Sequence, residues 1–176
     1  PRMDVLARAW YDRWLKGIEN GIDGYSPATL ASMPIDNFVQ GDTFPLPGYT
    51  HQRQYLTGKP SPSINTPVTG NGSLSSSAPE ARATRTVLPG LSNVCGKDGA
   101  QGAAGVTAIF DFCGRDNRLA EVAAQTFTSA PVTKLTRLSG FPAIHLNQRL
   151  AATDGYWHAT VNIVSPDGRS QIVSMG

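Results

Sequence analysis

GKPSPSINTPVTGNGSLSSSAPEARATRTVLPGLSN, residues 58–93, is the stretch on which the division of this chain turns. Of its 36 residues, 23 are Gly, Pro, Ser, Thr or Asn, too few large apolar side chains to build a core of its own. A long segment of this composition usually serves as a functional loop or a linker. It is therefore expected to join an N-terminal part, residues 1–57, to an α+β part, residues 94–176. In a 176-residue chain so divided, the last 83 residues must supply most of the core, and so small a core calls for a staple or a partner subunit.

Upstream of the stretch, Met3, Leu6, Trp10, Trp14 and Ile18 recur at three- and four-residue spacing, with charged residues on the rest of the wheel. This pattern predicts an amphipathic helix. Asp4 with Arg8 and Asp12 with Lys16 are acid-before-base pairs that support it, Gly17 weakens its last turn, and Asn20-Gly21 is a suitable stop. Trp10 and Trp14 leave three uses open for the face: packing on the protein's own sheet, a subunit interface, or adsorption to a membrane surface. Ser26-Pro27 reads as the cap and first residue of a short helix running to about Met33. From Pro34 to Tyr55, prolines alternate with Phe38, Phe44, Tyr49 and Tyr55, which suggests an extended arm laid over a surface.

Downstream, Val106 to Phe112 is a strand candidate. Asp116 is placed to cap a helix from about Asn117 to Phe127, with Leu119, Val122, Ala123 and Phe127 on one face. Val132 to Leu138 alternates well enough to suggest a strand. Trp157 to Val164 and Arg169 to Met175 flank Ser165-Pro166-Asp167-Gly168, whose Pro and Gly placement is that of a type I turn, so the chain should end in a β-hairpin. The expected fold class is α+β: an amphipathic helix, a long Pro/Gly/Ser-rich connection, and a small, mostly antiparallel sheet with one further helix and the terminal hairpin.

Charge excludes little but is informative in its distribution. Fifteen Lys and Arg face thirteen Asp and Glu, with no basic cluster of the kind nucleic-acid binders carry. No apolar run reaches the roughly 18 residues that span a bilayer. No motif for a cofactor or a metal is present, since the three histidines and two cysteines lack ligand spacing. Cys95 and Cys113 enclose 17 residues, and in an oxidising compartment a bridge between them would contribute about 3 kcal/mol.

Residue types alone admit several chemistries. A thiol nucleophile would need Cys95 or Cys113 beside His51, His145 or His158, and nothing in the spacing favours it. Carboxylates for glycoside cleavage are available at Asp111, Asp116, Glu121, Asp154 and Asp167, but Asp116 reads better as a cap and Asp167 as a turn residue. Asn71-Gly72-Ser73 matches a glycosylation acceptor by a three-residue pattern expected by chance in such a stretch. Tyr156 and Trp157, next to Gly155, are candidates for a ligand-facing surface.

These features together suggest a non-enzymatic, extracytoplasmic structural or adhesion subunit of a surface assembly, pilus-like in layout. It would associate with a protein partner or with itself through Trp10, Trp14 and the arm, and would bind no nucleic acid. A virion or tail-fibre protein is the alternative, and a small secreted hydrolase a second one.

Overall fold

A computed structural model describes residues 2–32, 37–63, 70–87 and 116–176. The fold is α+β, and its contacts divide it into two units, 1–49 and 50–176.

The first unit opens with helix α1, Met3–Lys16. It stops at Gly17, earlier than Asn20-Gly21, because Gly17 adopts φ +70° and the last carbonyls are satisfied there. Gly17 N–H donates to Arg13 O at 3.1 Å, the bond of an αL cap, and Ile18 N–H to Asp12 O at 3.0 Å. Lys16 pairs with Asp12 at 2.5 Å as the spacing predicts, but Asp4 is held by Arg2, and Arg8 reaches Asp12 at 3.6 Å instead. A single 3₁₀ turn, Ile22–Gly24, follows.

Strands β1 (Ala28–Ser32) and β2 (Asn37–Gly41) then pair antiparallel, Ala28 opposite Gly41 and Ser32 opposite Asn37. This corrects the short helix expected after Ser26-Pro27. The Ser26 hydroxyl does not cap a helix; it donates to Gly41 O at 2.9 Å, fifteen residues away, and so ties the strand to its partner. Leu46 lies over Gly41, where a Cβ would come within 2.5 Å of its side chain, and Leu46 and Ala28 are the buried apolar residues among those described in this unit.

Among its described residues the second unit holds a three-stranded and a two-stranded sheet. β3 (Tyr55–Thr57) pairs antiparallel with β4 (Gly70–Ser75), and β4 pairs parallel with β5 (Gln125–Thr128). The middle strand therefore lies inside the Gly/Ser-rich stretch. It is a strand because its small residues let neighbours approach: a Cβ on Gly72 would sit 2.5 Å from the Phe127 ring and 2.6 Å from Thr57 O. Thr57 and Ser73 are buried, and their hydroxyls meet at 2.7 Å across β3 and β4. The Arg85 guanidinium donates to Gly58 O at 3.0 Å and Asn71 O at 3.3 Å, and Gln125 donates to Thr86 O at 3.2 Å, so the chain beyond β4 is laid back on the same sheet.

Phe127 thus belongs to a strand and not to the helix expected over 117–127. That helix, α2, spans only Arg118–Glu121, after which Gln125-Thr126-Phe127-Thr128, aromatic and β-branched, pairs with β4. Residues 132–138 form no strand; Leu135 stands 93% exposed in irregular chain.

The terminal hairpin forms as expected from β6 (Thr160–Val164) and β7 (Ser170–Met175). Gly168 N–H donates to Ser165 O at 2.8 Å, and Ser165 N–H to Arg169 O at 2.9 Å. With Gly168 at φ +85°, this is a type I turn closed by a left-handed residue, a favoured three-residue hairpin loop. The register shifts between Val161 and Asn162, leaving Val173 as an extra residue on β7.

Candidate functional site

The densest polar cluster among the described residues ties α2 to the terminal hairpin. Ser170, 2% exposed, starts β7, and its backbone carbonyl accepts from Asn117 N–H at 2.6 Å. The Ser170 hydroxyl donates to Glu121 Oε1. Asn162 Nδ2 donates to the same oxygen and to Ser170 Oγ, both at 2.9 Å, and Asn117 Nδ2 approaches Oε1 at 3.4 Å. Asn162 reaches this position from the bulged part of the hairpin, two residues from Val164 on the face that Ser170 shares. One carboxylate oxygen thereby gathers three donors from three separate stretches of chain.

Asp116 forms the rim. It sits two residues before the first helical residue and accepts from Arg118 N–H at 3.2 Å and Ser170 N–H at 3.3 Å, while the Arg118 guanidinium grips both of its oxygens. Asp116 is not the cap expected of it: the capping position is Asn117, which makes no side-chain cap bond, and the Asp116 carboxylate bonds Arg118 N–H from one residue further out. The Arg118 side chain, aided by the two backbone N–H groups, holds the Asp116 carboxyl below the usual carboxylate range, against the raising effect of partial burial. A carboxyl whose pKa is lowered by folding contributes stability that is present above its unfolded pKa of about 3.9 and is lost as pH falls through its folded value. Asp116→Asn should accordingly lower the melting temperature at pH 7, and the gap between variant and parent should close as the pH is taken from 5 to 3. A gap that stays constant over that range would show that the Asp116 charge plays no part.

Other candidate residues are placed as follows. Trp10 lines a shallow groove of about 400 Å³ with Met3, Leu6, Ile22, Tyr25 and Pro27, inside the first unit. Its ring lies 6.3 Å from that of Trp14, and the Arg13 guanidinium covers Trp14 at 5.5 Å. The two Trp are 51% and 58% exposed. Tyr156 is 99% and Trp157 44% exposed, in irregular chain before β6. Cys95, Cys113, Asp111 and the strand expected over 106–112 lie outside the described residues. In the glycosylation triplet, Asn71 accepts from Ser61 N–H at 3.2 Å while Ser73 is buried, so both side chains serve the sheet.

The arrangement of Ser170 and Glu121 is unlike that of an activated nucleophile, because the hydroxyl donates to a carboxylate at the bottom of a closed network and is almost fully buried. The family model describing the C-terminal non-catalytic domain of X-Pro dipeptidyl-peptidases matches residues 20–176. The chain belongs to that family. Helix α1 precedes the matched residues, whereas both sheets of the second unit, the hairpin and the polar cluster fall within them. No curated protein and no solved structure matches this domain. Among the described residues no helix is long and apolar enough to cross a membrane, and no three His, Cys, Asp or Glu side chains converge as a metal-binding group.

The sequence pointed to Asp116 as a helix cap and to Glu121 only as a member of a scattered list of carboxylates. Asn117, Asn162 and Ser170 carried no signal, because what joins them is the pairing of β6 with β7 and the return of α2 onto it.

Proposed function

We propose that this chain is a non-enzymatic, protein-binding domain that works alongside a catalytic unit of X-Pro dipeptidyl-peptidase type. The observation that carries this reading is the match of residues 20–176 to a family defined as non-catalytic. The polar cluster supports it, since its hydroxyl and carboxylate are spent on holding α2 to the hairpin. Helix α1, with Trp10 and Trp14 half exposed, and the Pro-rich arm after it are the proposed contact surface for the partner. The proposal extends to a location outside the cytoplasm, with Cys95 and Cys113 bridged. Association through α1 and the arm is the part of the surface-assembly expectation that this proposal retains.

The purified chain should release no dipeptide from a chromogenic X-Pro substrate; turnover that survives repurification would overturn the reading. Light scattering on the same material tests the surface. Any self-association or partner binding should weaken at least tenfold in the Trp10→Ala/Trp14→Ala double variant, as expected when two half-exposed aromatic anchors are removed. Thiol alkylation followed by mass measurement, with and without reductant, tests the bridge: both cysteines should be protected until reduction.

A further inference from the structure

Asn-Gly occurs twice in the chain, at 20–21 and at 71–72, and the two copies sit in opposite surroundings. Such a pair is prone to cyclise, because glycine carries no side chain to keep its nitrogen away from the asparagine Cγ. In a folded protein the reaction also needs space around the glycine and a peptide nitrogen that is not otherwise engaged. At 71–72 the space is withheld. Gly72 is buried within β4 opposite Phe127, and a Cβ there would meet the Phe127 ring at 2.5 Å and Thr57 O at 2.6 Å. Asn71 is held as well, since its Oδ1 accepts from Ser61 N–H at 3.2 Å and its backbone carbonyl from Arg85 at 3.3 Å.

At 20–21 both conditions are met. Asn20 and Gly21 are exposed, nothing lies within 4 Å of the place a Gly21 Cβ would take, and Gly21 N–H has no acceptor among the described residues. Asn20 Oδ1 accepts from Ile22 N–H at 3.2 Å. That bond folds the side-chain carbonyl back over the Gly21 peptide and places a donor beside the oxygen on which negative charge develops during attack. We propose that Asn20 is a site of self-modification, converting to aspartate or isoaspartate in the folded chain and thereby releasing α1 from the turn that follows it, while Asn71 stays intact. The Gly21 nitrogen gives its proton to water or hydroxide and bonds to Asn20 Cγ; the Cγ–Nδ2 bond breaks, and Nδ2 leaves as ammonia with a proton from solvent. Water then opens the resulting succinimide, at the side-chain carbonyl to give aspartate or at the backbone carbonyl to give isoaspartate, with no change of oxidation state. The consequence falls on α1, because Asn20 Nδ2 donates to Ala9 O at 2.7 Å, eleven residues back in the middle of the helix. A carboxylate has no proton to offer that carbonyl. It also stands beside Glu19 and Asp23, which already share Arg13 at 3.0 and 2.5 Å, so that a third negative charge meets a single cation.

The test is storage of the purified full chain for several days in mildly alkaline buffer, with a parallel sample in concentrated guanidinium chloride, followed by protease digestion and mass measurement of the fragments that carry each site. In denaturant both asparagines should gain the mass of amide-to-acid exchange at similar rates. In the folded chain Asn20 should continue to react, whereas Asn71 should slow at least about tenfold, because ring closure there must await a local opening of the strand. Equal rates at the two sites in the folded chain, or an Asn20 slowed as much as Asn71, would overturn the proposal. Asn20→Gln must close a larger ring and should stay unmodified at that position. Asn20→Asp installs the product at once, and its α1 amides should exchange with deuterium about threefold faster than the parent's, the low end for the net loss of one hydrogen bond at an exposed site. Unchanged exchange in that variant would show that Asn20 does not hold α1, and the proposed release would fail.

Discussion

Gly72→Ala is expected to destabilise the second unit by about 3 kcal/mol, at the upper end of what overpacking a tight site usually costs. The added methyl would meet two neighbours of different compliance. Phe127 Cδ1, at 2.5 Å, belongs to a side chain that can turn; Thr57 O, at 2.6 Å, is backbone in the paired strand β3 and cannot move without parting from β4. A double variant, Gly72→Ala/Phe127→Leu, should therefore regain less than half of the loss in urea denaturation. Full rescue by the smaller side chain would show that the ring alone sets the constraint, and an unchanged midpoint for Gly72→Ala would mean that β4 does not pass between β3 and Phe127 as closely as described. Gly72→Val should prevent the sheet from forming, because the branched carbon meets both obstacles at once.

The second large effect is expected at Glu121. Replacing it by Leu leaves the Ser170 hydroxyl and the Asn117 and Asn162 amides without the oxygen on which they converge. A buried donor deprived of its acceptor costs about 1–3 kcal/mol. Glu121 itself is only half buried, so water can reach part of the cluster, and a loss of about 2–3 kcal/mol is expected in place of the sum of three such penalties. Glu121→Gln keeps an acceptor oxygen at nearly the same place and should lose less than half as much. Thermal unfolding of both variants at pH 7 is sufficient: equal melting temperatures for Leu and parent would show that the network contributes nothing to the folded state.

What the sequence revealed was what local rules govern. Helix α1 follows from a 3.6-residue apolar period, and the terminal hairpin from Pro166 and Gly168 at fixed offsets in a turn, so both could be read without knowing the rest of the fold. Ser26-Pro27 misled because its hydroxyl finds Gly41 O on another strand, a partner no local pattern announces. Gly70–Ser75 was concealed by composition: glycine and serine are poor strand formers in isolation, and here they are selected because Phe127 and Thr57 need the space. The helix expected to reach Phe127 ends at Glu121 for the same reason, since the aromatic residue is claimed by Gly72. The polar cluster was the least legible part, because its members come from positions 116–121, 162 and 170 and acquire meaning only through the register of β6 on β7.

The parallel pairing of β4 with β5 also has a consequence for the chain during its synthesis. Ser73 waits for Thr128, on the order of 50 residues behind it, and ribosomes add about 5–20 residues per second. For several seconds after β3 and β4 are made, the edge that Gln125–Thr128 will cover presents bare peptide groups to whatever lies nearby. The glycines and serines that make β4 an unpromising strand to the eye also make it a poor template for other chains in that interval, since it offers few apolar side chains to grasp.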